Sequence, residues 1–258
     1  MSNIRWTVVT GASSGIGADL ARSFSAIGHN LILVARRRER MEALKAELER
    51  RDRGRVEIIP CDLGVPEGPQ TLHRAVLDTG LPIHTLVNNA GFGLRGEFAT
   101  LPLDEQAAMI ELNVTSLTKL CRLFLPDMIA GGRGGILNVS STAAYQAGPH
   151  MAVYYATKAY VLSLSEALHE EVKPHGVTVT ALCPGPTATE FQDRANMRGS
   201  RLMRAGTMPS LKVAQAGVDG YRAGHAVVVP GASNLIGANL AKLMPRFVTR
   251  RIAASLQS

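Results

Sequence analysis

Short apolar runs rich in β-branched residues recur along the chain: WTVVT (6–10), LILVA (31–35), VEIIP (56–60), TLVNN (85–89), GILNVS (135–140), VTVTAL (177–182) and AVVVP (226–230). Most of them lack polar alternation. A strand with one wet face alternates, so these runs read as strands buried on both faces, as parallel strands are. Between them the apolar positions change period. Ile16, Leu20, Phe24 and Ile27 mark one helical face, Met41, Leu44 and Leu48 another, and longer helical patterns cover 104–130 and 154–173. Strands alternating with helices predict right-handed βαβ crossovers. The expected fold is therefore α/β, an open doubly wound parallel sheet of about seven strands with helices on both faces. The region 186–215, rich in Arg, Met, Gly and Thr, breaks the alternation and is the place for an inserted lid or substrate loop.

Composition agrees with one large folded unit. The chain has 258 residues, 46% apolar and 19% charged, which suits a single α/β domain. No apolar run is long enough to cross a bilayer. The sequence passes from Met1 almost directly into IRWTVVTG, so no secretory signal is expected and the expected location is cytoplasmic. Cys61, Cys121 and Cys183 are widely spaced and odd in number. They read as free thiols of a reducing compartment, and no metal site is expected. Net charge is +7. No zinc-finger or aromatic RNA-binding pattern accompanies the arginines, so nucleic acid is not an expected partner.

Two stretches carry chemistry. TGASSGIG (10–17) follows the first strand and opens the first helix. Gly11, Gly15 and Gly17 permit a tight turn and close backbone approach, and the helix N-terminus offers free N–H groups to a phosphate. Ser13, Ser14 and Ile16 share that loop. The second stretch is YYATK (154–158). A phenol has an ordinary pKa of about 10, and a neighbouring ammonium lowers it. Tyr154 and Lys158 are i,i+4 neighbours and Tyr155 and Lys158 are i,i+3, so helix spacing alone does not choose between the tyrosines.

TGASSGIG, CDL (61–63), NNAG (88–91), Asn113 in LNVTS, NVSS (138–141), YYATK and PGPTAT (184–189) occur in one order. With these pieces the chain resembles the short-chain dehydrogenase/reductases of the compact single-domain type, over about residues 7–190. The resemblance implies a Rossmann-type fold and hydride transfer between a nicotinamide and a carbonyl or alcohol carbon. Its Tyr-x-x-x-Lys pattern selects Tyr154 with Lys158. Its serine falls on Ser141 of the pair Ser140–Ser141, and Asn113 resembles the fourth member, ordering a water that relays protons to Lys158. Tyr154 is then the general acid or base, Lys158 lowers the phenol pKa and holds the nicotinamide ribose, and Ser141 bonds the substrate oxygen. Asp62, with Leu63 beside it, resembles the adenine contact. Asn88, Ala90 and Gly91 resemble the lining of the adenosine side. Pro184, Gly185, Thr187 and Thr189 fall on the segment beside the nicotinamide.

An acid closing the second strand bonds the 2′-OH of NAD, whereas an arginine nearby accommodates the phosphate of NADP. Here the strand ends LILVARRR, with Ala35 in the acid's place and Arg36 next. The expected cofactor is NADP(H) rather than NAD(H), with Arg36 on the phosphate. Arg37 and Arg38 read as the first turn of the next helix.

The end of the chain departs from the family pattern. Leu240, Leu243, Met244, Phe247 and Leu256 recur beside Lys242, Arg246, Arg250 and Arg251. The division expected is a domain over 1–236, including the loop 186–215, and a basic amphipathic helical tail over 237–258, broken at Pro245. The tail is expected to pack on the domain, where it could cover the substrate pocket, or on a sister subunit of a homodimer or homotetramer. A weak contact with an anionic membrane surface is the alternative. The expected function is reduction of a fairly hydrophobic ketone or aldehyde, or oxidation of a secondary alcohol. A binding module that uses the fold as a sensor or scaffold is the competing class.

Overall fold

Every residue of β1 (Trp6–Thr10) is buried, because parallel neighbours flank it on both sides and helices cover both faces. The computed structural model describes residues 5–52, 54–195 and 206–257. The strands β2 (Asn30–Ala35), β3 (Val56–Pro60), β4 (Ile83–Asn88), β5 (Gly135–Val139), β6 (Thr178–Leu182) and β9 (Val227–Val228) complete a sheet in the order β3-β2-β1-β4-β5-β6-β9. All pairs in it are parallel. The apolar runs read in the sequence are these seven strands, with the last shortened to a two-residue pairing.

On one face, α1 (Gly15–Ala26), α2 (Arg38–Asp52) and α8 (Ser210–Arg222) close a core around Leu20, Phe24, Met41, Leu48, Val213 and Tyr221. On the other, α3 (Gly68–Asp78), α5 (Leu117–Gly131) and α6 (Ala152–Val172) close a second core around Leu72, Val76, Leu120, Phe124 and Val161. The helical pattern at 104–130 is realised as α4 (Leu103–Ile110) and α5 joined through a π-helical turn, Glu111–Ser116. That turn carries Asn113.

The chain leaves β1 toward β2 and β3 on one side, and β4 begins on the other. Between β1 and β4 the strand order reverses, and a crevice opens there at the carboxyl ends of the strands. The loop region 186–215 contributes a small parallel pair, β7 (Thr187–Ala188) with β8 (Met208–Pro209), and a short turn α7 (Phe191–Arg194). Part of that loop, including Met197, Leu202 and Met203, lies outside the described residues. The tail forms α9 (Ala232–Leu243) and α10 (Arg246–Gln257). The helix starts at 232, five residues before the expected boundary, and the break falls at Met244–Pro245, where the backbone turns extended.

Candidate active site

A cleft of about 1260 Å³ runs along the carboxyl edge of the sheet. Its size exceeds the usual range for one small ligand and leaves room for a dinucleotide together with a substrate. Gly11, Ser13, Ser14, Gly15, Ile16 and Gly17 form one end. Gly11 and Gly15 have φ of +64° and +55°, a conformation open to glycine at little cost. A Cβ on Gly17 would overlap the Gly11 carbonyl oxygen and the Asn89 amide. The loop is held from β4: Asn89 Nδ2 donates to the carbonyls of Thr10 at 3.0 Å and Gly11 at 3.3 Å. Thr10 Oγ1 accepts from the backbone N–H of Asn89 and Ala90 and donates to Val87 O. This bare, pinned cradle at a helix N-terminus fits a phosphate group.

Beside the cradle the arginines divide their work. Arg36 extends toward Asp62, Nη1 to Oδ2 3.9 Å, and both line the cleft with Leu63. Arg37 folds over the loop instead. Its Nη2 donates to Ser13 Oγ and Ser14 Oγ, each at 3.0 Å, and its Nη1 donates to Glu190 at 3.1 Å. Glu190 also pairs with Arg40, and bonds from Arg40 and then Arg37 hold its carboxyl below the usual range. Arg37 was expected merely to begin α2. The structure places it at the phosphate loop, because the strand end turns successive side chains different ways.

At the other end of the cleft lie Ser141, Tyr154 and Lys158. Ser141 caps the short 3₁₀ turn Thr142–Tyr145, its Oγ accepting from Ala143 N at 3.1 Å. Its Oγ donates to Pro184 O at 3.4 Å, and its hydroxyl lies in the same end of the cleft as the Tyr154 phenol. Ser140 is spoken for: its Oγ donates to Lys158 O at 2.8 Å, tying β5 to α6. Lys158 is buried, with Nζ donating to Val139 O at 2.8 Å and standing 5.8 Å from the Tyr154 ring centre. Tyr155 packs instead against Gly148, Ala143 and Met151.

The expected lowering of the phenol by Lys158 is not what this geometry produces. Burial pushes Tyr154 well above its ordinary range, and the nearby Ser141 hydroxyl only partly opposes it. Burial also brings Lys158 down to about 8. Desolvation acts on both groups, and the ammonium is turned to a carbonyl rather than to the phenol.

Two expected site residues lie elsewhere. Asn88 points away from the cleft, donating through Nδ2 to Asn138 Oδ1 at 2.9 Å and Cys121 Sγ at 3.3 Å. Successive strand residues face opposite ways, so the next residue, Asn89, takes the cleft-side place. Asn113 is 1% exposed. Its Nδ2 donates to Phe92 O at 2.9 Å and Thr157 Oγ1 at 3.2 Å, and its Oδ1 accepts from Phe92 N at 3.1 Å. Both amide N–H groups are thus engaged in bracing the loop after β4 against α6, so its side chain positions that loop. Ala90, Gly91, Pro184, Gly185, Thr187 and Thr189 all line the cleft. Thr187 Oγ1 donates to Gly185 O, and Thr189 Oγ1 accepts from Phe191 N.

The remaining wall comes from Phe191 and from the tail, in line with the expectation that the tail could cover the pocket. Phe191 packs on Tyr154 with ring centres 5.3 Å apart. From the tail come Asn234, Gly237, Leu240, Met244, Ile252 and Leu256. Asn234 lies where a Cβ on Gly185 would sit, so α9 rests on the turn after β6.

The short chain dehydrogenase family model matches residues 5–198. A very-long-chain 3-oxoacyl-CoA reductase of Anas platyrhynchos is 35% identical over 72% of this chain and 61% of that relative. The chain thus spans less than two thirds of that protein's length. A sulfoacetaldehyde reductase of Chromohalobacter salexigens is 38% identical over 71% of this chain and 72% of the relative. Among solved structures, a short-chain dehydrogenase from Sphingobium yanoikuyae in complex with NADPH is 32% identical, with a TM-score of 0.83 over 93% of this chain and 95% of that one. The chain belongs to the short-chain dehydrogenase/reductases, oxidoreductases that pair a nicotinamide cofactor with a small carbonyl or alcohol substrate.

Proposed function

We propose that the chain is an NADP(H)-dependent reductase of an apolar ketone or aldehyde, with Tyr154 as its general acid. The observation that carries this reading is the layout of one cleft. Ser141, Tyr154 and Lys158 meet at one end, and the glycine cradle with Arg36 and Arg37 forms the other.

A bound nicotinamide supplies the hydride. The hydroxyls of Ser141 and Tyr154, which line the same end of the cleft, hold the substrate oxygen. Tyr154 gives that oxygen its proton as charge develops there. Lys158, charged below about pH 8 and 5.8 Å from the Tyr154 ring centre, offsets only part of the burial cost of the phenolate that remains. In the oxidative direction Tyr154 takes the proton back. Asn113 and Thr157 keep the loop after β4 and the start of α6 in register. Arg37, with Ser13 and Ser14, binds the 2′-phosphate, and Arg36 flanks it beside Asp62. The NADPH found with the Sphingobium relative supports that preference.

The substrate end is lined by Met151, Phe191, Met244, Ile252 and Leu256. Among the described lining residues the cations are Arg36, Arg37 and Lys158, all assigned to the cofactor or to proton transfer. A neutral apolar carbonyl fits this wall better than an anion.

The test is NADPH oxidation with a panel of bulky apolar ketones and aldehydes, run beside Tyr154→Phe. Loss of turnover with NADPH binding kept supports the enzyme. Failure of the wild-type protein to turn over any carbonyl, with NADPH bound, would make the cleft a sensor's.

A further inference from the structure

The two tail helices display apolar side chains that nothing described in the fold covers. On α9, Ile236, Leu240 and Leu243 are 60%, 51% and 83% exposed. Their spacing of four and three residues sets them along one helical face. Phe247 at the start of α10 is 52% exposed. The opposite sides of both helices are in use, through Ala238 on α9 and Thr249 and Ala253 on α10, all buried. These helices are therefore docked, and the apolar stripe is what they leave outward.

The charges around the stripe have one sign. Arg246, Arg250 and Arg251 are exposed, and none forms an ion pair among the described residues. The sequence from 220 to 258 contains no Asp or Glu. A second copy seated on the same surface by a two-fold axis would bring these arginines against themselves, with no carboxylate from either helix pair to answer them. An anionic lipid surface supplies both the negative charge and an apolar layer for Leu243 and Phe247. Among the described residues no helix is long and apolar enough to span a membrane.

The stripe also adjoins the cleft. Leu240 and Ile252 line the cleft and are about half exposed, and Met244 and Leu256 line it beside them. We propose that α9 and α10 dock on an anionic lipid surface, with the substrate end of the cleft opening toward the lipid. Exposure and charge make this surface whichever carbonyl the cleft reduces.

The test is co-sedimentation of the full chain with vesicles of phosphatidylcholine, with and without phosphatidylglycerol. Binding is expected to the mixed vesicles only, and to fall as salt rises from about 0.05 to about 0.5 M. Arg250→Gln with Arg251→Gln should weaken binding about 30-fold. Leu243→Asp with Phe247→Asp should weaken it more than about tenfold. None of these four residues lines the cleft, so thermal melting and NADPH affinity should stay as in the wild type. Equal sedimentation with and without phosphatidylglycerol, or of wild type and variants, would overturn the proposal. So would a wild type that ignores vesicles while Leu243→Asp with Phe247→Asp halves its mass in sedimentation velocity, since the stripe would then be a subunit interface. Sedimentation with vesicles needs no turnover, so its failure is distinct from failure of the reductase reading.

Discussion

Replacing Arg37 by alanine tests the proposed preference for NADP(H) over NAD(H). The guanidinium is already anchored at the rim by Ser13, Ser14 and Glu190, at 3.0–3.1 Å, so little side-chain entropy is left to lose on binding. A hydrogen bond to a charged group contributes about 1.5–3 kcal/mol. Arg37 is 46% exposed, and solvent screening brings the working value to about 1.5–2 kcal/mol. That corresponds to about 10- to 30-fold weaker NADPH binding. NADH lacks the phosphate, and its affinity should change less than about twofold. Glu190→Gln carries the opposite sign. Its carboxylate shares the guanidinium and faces the incoming anion, so neutralising it should tighten NADPH about two- to fivefold. Calorimetric titration with both nucleotides at two salt concentrations measures all of this. If Arg37→Ala weakens NADPH and NADH equally, the residue acts by holding the Ser13–Ser14 loop, and the phosphate argument is refuted. If Arg36→Ala alone removes the difference, the phosphate is read at the end of β2 instead.

Other consequences are as direct. Tyr154→Phe should lower turnover about 10²- to 10⁴-fold while leaving NADPH affinity intact; unchanged turnover would remove Tyr154 from the chemistry. Lys158, at about 8, loses its charge over roughly pH 7–9. Carbonyl reduction should slow across that window, and a rate profile flat through it would count against the role given to Lys158. Gly17→Ala places a methyl group on the Gly11 carbonyl and the Asn89 amide, so NADPH affinity should fall more than about tenfold; retained affinity would mean the loop is not the phosphate cradle. His29 is buried, with Nδ1 2.8 Å from Thr7 Oγ1, and desolvation, then His84 and Arg5, lowers it from 6.5 to about 4. The unfolded chain therefore binds the proton first, and stability present above pH 6.5 is lost as pH falls toward 4, by about 3 kcal/mol. Urea unfolding of wild type and His29→Gln at both ends of that range checks it, and identical pH dependence would refute it.

Much of the cleft's framework could be read from the chain because it is local. The seven apolar runs become the seven strands, and the central ones, β1 and β5, are buried throughout because a run without polar alternation lies best between two helical layers. The cradle at 10–17 depends on backbone freedom at Gly11 and Gly15, a property of those residues themselves. The i,i+4 spacing brings Tyr154 and Lys158 to one stretch of α6. Where the reading stopped short, direction was at issue. Whether Asn88 or Asn89 faces the cleft depends on where β4 ends. Whether Asn113 meets solvent or Phe92 depends on a π-helical turn that a helical period does not reveal.

The sequence by itself determined the alternation of strands and helices and the glycine loop at 10–17, because each rests on neighbours a few residues apart; spacing left Tyr154 and Tyr155 equal beside Lys158, and the resemblance to the family chose Tyr154. The tertiary structure alone decided which arginine covers the phosphate loop, what shifts the buried phenol, and that the tail walls the cleft. Those outcomes rest on distant contacts. Arg37 meets Glu190 across 153 positions, and Asn234 reaches the turn at Gly185. The tail's amphipathic period was visible in the chain. It could not say which surface that face would find, since burial of an apolar face is non-directional and only the shape of the rest of the fold selects its partner.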